Sequence, residues 1–431
     1  MIFMRAHLPS CQAIIAWPAR PWHRTWHRTC YDDGMSIVAS SPAGRTPGQT
    51  NRPLRVVHFT DSLEPSGVGR HICLLAREFQ QRGYQQTLVC PDVPAGRWVI
   101  AQCAALGLEV QAMCVREAGD IEDYRRLVGL LRRGCYDLVH NHAGIAWEGC
   151  WGTLAAAEAG VPVICTEHLP YLITDPTQHH LKLQVSRLVA RTIAVSYGVA
   201  RSFVEHGVVQ PQEISVVWNG IDLAAFCPRR RPELRPSLLG IPADWPLVVC
   251  VGRMTPQKGQ ALLLEAMARV HRRRGHGRPP LLALAGDGPL RPQLERLARQ
   301  LGIAPHVCFL GRYARVPELL SCADVLVQPS EFEGLPLTVL EGMASALPVI
   351  VTDVIGNNEA VVAGESGLVV PPHDAEALAE AIQQILDDPD LATRLGAQAR
   401  RRVEREFTAE RMAQRTALVY QKALLLAHAA A

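Results

Sequence analysis

From Leu54 onward the chain alternates short, wholly apolar runs with longer stretches of helical period, and after a break near residue 226 it starts the alternation again. An apolar run with no polar residue at every second place makes a strand covered on both faces. Helical crossovers between such strands make a parallel sheet between two helical layers. The first series reads as strands at residues 54–60, 87–90, 109–114, 137–140, 161–165, 192–195 and 214–217, and the second at 247–251, 281–285, 307–310, 324–327, 349–351 and 367–370. Residues 374–387 and 391–405 are helical by pattern. Residues 409–427 form a long amphipathic helix with no strand after it, which is expected to cover the first unit. At 431 residues the chain is too long for one ordinary core. The expected division is an extension (1–52), a first α/β domain (53–225), a Pro- and Arg-rich linker (226–246), a second α/β domain (247–405) and the terminal helix (406–431).

Composition narrows the partners. The 44 basic and 41 acidic residues nearly balance, so a formal charge of +3 leaves no footprint for nucleic acid. Arg229-Arg230-Arg231 and Arg272-Arg273-Arg274 read as solvated linker and helix-end residues. The 13 cysteines fall in apolar runs without a CxxC pair, which suits reduced thiols of a cytoplasmic protein. No apolar stretch reaches membrane-spanning length, so membrane contact is expected to be peripheral. Residues 1–52 lack any sustained period and any secretory signal, and are read as disordered. His23, His27 and Cys30 have metal-like spacing but no fourth ligand and no surrounding core. Met35 is an alternative start, and removal of the residues before it is expected to leave activity intact.

Ligands of open parallel sheets bind beyond the carboxyl ends of strands, and chemistry-bearing residues collect there. Gly252-Arg253-Met254-Thr255-Pro256-Gln257-Lys258-Gly259 follows the first strand of the second series, placing a guanidinium fork and a compact ammonium in one turn. Glu333-Gly334-Leu335-Pro336-Leu337-Thr338 leads from another strand into a helix expected to begin near Leu335. Its free N–H groups and dipole favour a phosphate or diphosphate. Glu341 lies inside that helix, where its carboxylate can accept two hydrogen bonds from a ribose diol. Gly286-Asp287-Gly288-Pro289 marks a turn needing close backbone approach. In the first series, His140-Asn141-His142 is expected to follow one strand and Thr166-Glu167-His168 the next. Taken singly, His140 reads as a histidine satisfied by backbone carbonyls, and His168 as the stronger candidate for a ligand contact.

These pieces, in this order with Ser66-Gly67-Val68-Gly69-Arg70, Asn219-Gly220-Ile221-Asp222, Pro348-Val349-Ile350 and Gly367-Leu368-Val369-Val370-Pro371, resemble a family 4 glycosyltransferase from about Leu54 to the C-terminus. The resemblance implies the GT-B fold: two Rossmann-like doubly wound domains facing across a cleft, with the C-terminal helix crossing back to the first. It also implies retaining transfer of a sugar from a nucleotide-diphosphate donor to a saccharide or lipid-linked acceptor in cell-envelope or exopolysaccharide synthesis. No metal and no cofactor beyond the donor are expected. By resemblance Arg253 and Lys258 stabilise the leaving diphosphate with the amides of Leu337 and Thr338. Glu341 takes the ribose and Glu333 the donor sugar, His168 approaches the sugar from the first domain, and Gly67 admits the phosphate. Gly252, Gly334 and Leu335 complete the donor site. The sequence departs from the family pattern at Ser66, where a second glycine is usual, and at Pro336, which has no N–H to donate.

Two other readings are weaker on the residues. A non-catalytic binder of the same fold has no physical need for Arg253, Lys258, Glu333, Glu341 and His168 together. A dinucleotide enzyme reading Gly67-Val68-Gly69 as its fingerprint and Asp92 as its ribose acid finds Ile72 where the third glycine belongs.

Overall fold

The computed structural model describes residues 52–62, 67–117, 119–274 and 278–430. The expectations for residues 1–51, including those for His23, His27, Cys30 and Met35, fall outside them, as does Ser66. Seven parallel strands form the first sheet: β1 (Arg55–Phe59), β2 (Gln85–Cys90), β3 (Glu109–Ala112), β4 (Leu138–Ala143), β5 (Val163–Glu167), β6 (Arg191–Ala194) and β7 (Ile214–Val216), in the order β3-β2-β1-β4-β5-β6-β7. Six more form the second: β8 (Leu247–Val251), β9 (Leu281–Ala285), β10 (Val307–Gly311), β11 (Val325–Gln328), β12 (Val349–Thr352) and β13 (Leu368–Val370), in the order β10-β9-β8-β11-β12-β13. In both sheets the order turns back beside the first strand. The two crevices where parallel sheets take ligands therefore lie between β1 and β4 and between β8 and β11.

Helices α1 (Gly67–Gln81), α2 (Pro94–Ala105), α3 (Ile121–Arg133), α4 (Cys150–Ala159), α5 (Pro176–Ser186) and α6 (Tyr197–Glu205) cover the first sheet. After α7 (Arg235–Leu239), the helices α8 (Gln260–Arg274), α9 (Arg291–Gln300), α10 (Val316–Cys322), α11 (Leu337–Ala344), α12 (Asn357–Ala360), α13 (Ala375–Asp387) and α14 (Pro389–Glu406) belong with the second. Their starts follow capping chemistry: Ser196 accepts from the Val199 N–H, Asp374 from Glu376 and Ala377, and Asp388 from Leu391. The last helix, α15 (Ala409–Ala430), returns to the first sheet. Its Met412, Val419 and Tyr420 are buried against Val56, Leu75, Phe79 and Ile164.

Several expectations change in detail. The segment expected to be a bare linker carries α7, and Arg235 within it is buried, donating to the carbonyls of Cys322, Ala243 and Trp245 and pairing with Asp324 at 2.8 Å. The basic runs are paired as well as solvated: Arg230 meets Asp324, Arg273 meets Glu376 and Arg274 meets Asp387. The cysteines of the described residues are all free. No helix among them is long and apolar enough to cross a membrane.

Candidate functional site

The β8–β11 crevice holds the charged set. Beyond β8 the chain turns through Gly252 and Arg253 into a short turn ending at Lys258, whose Nζ donates to Glu333 Oε1 at 2.6 Å. Ser330 Oγ at 2.7 Å and Gln328 Nε2 at 3.2 Å donate to the same oxygen, fixing the buried Glu333 carboxylate from three sides. Gly259 ends the turn at φ 62°, and a Cβ there would overlap the Pro329 carbonyl oxygen. Only glycine lets the Lys258 turn lie against the Glu333 loop. Gly286 has the same role beside it, since its Cβ would strike the carbonyl of Gly252.

Helix α11 begins at Leu337, two residues later than the expected start near Leu335, because Pro336 is its N-cap. No side chain caps it. Leu337 and Thr338 therefore supply its first amides, at the positive end of the helix dipole. One turn on, Glu341 is almost fully buried. Its Oε1 pairs with Arg70 of α1, and its Oε2 is buried with no hydrogen-bond partner. Burial raises the acid's pKa, and Arg70 offsets part of that. A buried carboxylate oxygen with unused lone pairs is an acceptor for a hydroxyl.

The first sheet's half faces this set directly. Gly67, the first residue of α1, stands where a Cβ would be 3.6 Å from Leu337 Cδ1, so the N-termini of α1 and α11 meet. Asn219 Nδ2 donates to the Leu335 carbonyl at 2.8 Å while its Oδ1 accepts from His71 Nδ1 at 2.9 Å. His168 follows β5 as expected, and its carbonyl lies where a Cβ on Gly334 would be. Arg253 is near enough to Glu148 of the first half to favour that acid's charged form, although burial, the larger effect, raises its pKa. The structure thus brings Gly67, His168, Gly252, Arg253, Lys258, Glu333, Gly334, Leu335, Leu337, Thr338 and Glu341 to one interface between the two sheets.

Two placements differ from expectation. His140, Asn141 and His142 lie inside β4, paired in register with β5, and do not follow the strand. All three are buried polar residues in a central strand; their surroundings satisfy both His140 nitrogens, the Asn141 amide nitrogen and His142 Nε2, and leave Asn141 Oδ1 and His142 Nδ1 without a partner. His140 bonds Tyr420 Oη and Thr166 Oγ1, both at 2.7 Å, in place of the expected backbone carbonyls. Asn141 donates to Thr153 Oγ1 at 2.7 Å. Thr166 and Glu167, also expected to follow a strand, are the last residues of β5, and Glu167 pairs with Lys182 at 3.1 Å.

Sequence reasoning passed over Arg70, Asn219 and Glu359 as site residues. Arg70 carried a signal, an arginine one turn into a helix opened by a glycine loop. Glu359 carried none: it lies on α12 and accepts from the Tyr197 N–H at 2.8 Å and the Gly198 N–H at 2.6 Å, capping α6 from the opposite half.

Both halves of the chain match known protein families. Residues 65–225 match the family model described as Glycosyltransferase Family 4, and residues 233–402 match Glycosyl transferases group 1. A D-inositol 3-phosphate glycosyltransferase of Streptomyces scabiei is 33% identical over 313 residues, 68% of this chain and 69% of the relative. The alpha-maltose-1-phosphate synthase of Mycolicibacterium smegmatis is 34% identical over 66% of this chain and 79% of its own. The Anabaena protein HepE, solved in complex with UDP and glucose, superposes with a TM-score of 0.73 at 20% identity, covering 85% of this chain and 99% of that one. The chain belongs to the family 4 glycosyltransferases, and its two-sheet architecture is the GT-B fold. It is accordingly a glycosyltransferase, an enzyme whose donors are nucleotide sugars.

Proposed function

We propose that the chain moves a sugar, with retention of configuration, from a nucleoside diphosphate donor to a saccharide or lipid-linked acceptor of the cell envelope. The acceptor would enter from the half formed by residues 53–225 and the donor would lie on residues 247–405, at the cytoplasmic face of the membrane. The observation that carries the donor reading is Glu341: a buried carboxylate with one oxygen on Arg70 and the other unpartnered, one turn inside a helix whose N-terminus no side chain caps. That helix start would receive the diphosphate and Glu341 the ribose hydroxyls. Glu333 would accept from the hydroxyls of the donor sugar, with His168 on its other side. As the bond from the anomeric carbon to the phosphate oxygen breaks, its electron pair leaves with the diphosphate, the acceptor's hydroxyl oxygen bonds to that carbon on the same face, and the hydroxyl proton passes to the departing phosphate oxygen. Lys258, Arg253 and the amides of Leu337 and Thr338 would stabilise that charge, the task a divalent ion performs in other transferases. This set needs neither a metal nor a further cofactor for that step.

The names of similar proteins favour a uridine donor. HepE was solved with UDP-glucose, and an Escherichia coli relative, 28% identical over 65% of this chain, is named as a UDP-Gal-dependent galactosyltransferase acting on a diphosphoundecaprenol-linked sugar. The test is thermal melting of the purified chain with UDP, GDP or ADP. One nucleotide at a hundred times its Kd should add about 2.7 kcal/mol of stability; no shift with any of them would overturn the donor site. Lys258→Ala and Glu341→Ala should each lower turnover by about 100-fold or more while the protein still melts cooperatively. Turnover like that of the parent in both would sink the assigned roles.

A further inference from the structure

Five histidines of the first half, His58, His71, His140, His142 and His168, are buried together behind the cleft, with ring centroids of neighbours 4.0–5.9 Å apart. Their hydrogen bonds fix most of their tautomers. Gln86 Nε2 donates to the Ala76 carbonyl, so Gln86 Oε1 accepts from His58 Nε2 at 3.0 Å and His58 carries its proton there. His58 Nδ1 is then an acceptor, and His142 Nε2 must donate to it across 3.2 Å. That leaves His142 Nδ1 as a bare lone pair. By the same logic His71 Nδ1 donates to Asn219 Oδ1, whose amide nitrogen is committed to Leu335, so His71 Nε2 is bare as well. Both nitrogens are fully buried without a partner, and so is His168 Nε2. One ring nitrogen from each of His71, His142 and His168 lies within 4.8 Å of the others.

We propose that His71, His142 and His168 bind a divalent transition-metal ion of the zinc type. The residues meet the chemistry such an ion demands. Imidazoles are its commonest ligands, and all three rings here are buried with a nitrogen of each close to the others. Each of the first two rings has its other nitrogen held by an acceptor, which orients the lone pair as outer partners do in metal sites. Tetrahedral ligation at about 2.05 Å sets nitrogens about 3.4 Å apart, so an ion would draw together nitrogens that now lie within 4.8 Å of one another. A fourth position would be left for a water molecule. The neighbouring trio of His58, His140 and His142 is a poorer candidate, because both nitrogens of His58 and of His140 are already bonded. The ion would join α1, β4 and the end of β5, elements that carry Arg70 and His168. It would share His168 with the donor site proposed above, while His71 and His142 take no part in that chemistry.

The test uses the full chain, dialysed against chelator and titrated with zinc by calorimetry, with metal content measured after gel filtration. One chelatable zinc per chain and a higher melting temperature are expected. His71→Asn keeps a donor toward Asn219 and His142→Gln keeps one toward His58, while each removes the ligating nitrogen. Each should weaken binding by about 100-fold or more, whereas the exposed His373→Gln should not. A parent chain that takes up no zinc, or folded variants that bind it as tightly as the parent, would overturn the proposal. Should the variants fail to fold, cobalt replaces zinc in the parent: the intense visible bands of a tetrahedral nitrogen site support the assignment, and a weak octahedral spectrum overturns it.

Discussion

Asp61, just past β1, accepts from the Gly149 N–H with both oxygens, at 3.0 and 3.1 Å. Burial first, and then the nearby Glu148, push its pKa from 3.8 to about 7. Between those values the native state holds a proton that the unfolded chain has lost. Asp61 therefore contributes stability below about pH 4 that disappears as pH rises through about 7, worth about 4 kcal/mol at most. Asp61→Asn should keep the Gly149 bond, and urea melts at pH 5 and 8 should show the parent losing ground to the variant at the higher pH. An unchanged difference between the two would place the Asp61 pKa near its ordinary value. At this scale the sequence showed types and spacing but not partners. Lys258 and Glu333 were legible because each sits in a turn after a strand. Arg70 on Glu341 was not, since 271 residues separate the pair and only the meeting of the two halves joins them.

Among the elements, β8 and β9 fall on the residues expected, because an unbroken apolar run ended by Gly252 or Gly286 has one reading. Strand β4 was cut short because His140-Asn141-His142 looks like a loop until Thr153, Thr166 and Tyr420 arrive to satisfy it. The start of α11 shifted because a proline that cannot donate is well placed as a cap. The turn at Gly259 invites a direct test. Gly259→Ala meets both a left-handed φ and the Pro329 carbonyl, so it should cost about 2–4 kcal/mol in denaturant midpoint measurements. Transfer should fall as well, because Lys258 would leave Glu333. A variant as stable and as active as the parent would show that the turn can move freely.

Across the whole molecule, the two halves are held by Arg70 on Glu341, Asn219 on the Leu335 carbonyl and Glu359 on the first amides of α6. Glu359→Ala should cost up to about 2 kcal/mol and speed proteolysis between the halves, with cleavage mapped by mass spectrometry. Identical digestion rates would mean the remaining contacts suffice. Burial lowers the pKa values of the five buried histidines. Those of His58 and His71 are pushed down to about 4 by burial, and the other three lie well below 6.5. The unfolded chain gains protons first, so stability from these rings is present above about 6.5 and lost as pH falls toward 4, opposite in sign to Asp61. Thermal melts between pH 7 and 4.5 should show a steep decline; a flat profile would mean the rings protonate in place. Helix α15 carries a further consequence, for the order of events during synthesis. The strands β1 to β7 leave the ribosome roughly 190 residues before α15 does, an interval of about 10–40 s at ordinary elongation rates. Throughout it the surface made by Val56 and Ile164 of the sheet and Phe79 of α1 lacks its cover and His140 lacks Tyr420. The nascent first half is thus a natural client for a chaperone that recognises an exposed apolar sheet, and a pause in translation before residue 409 would lengthen its exposure to aggregation.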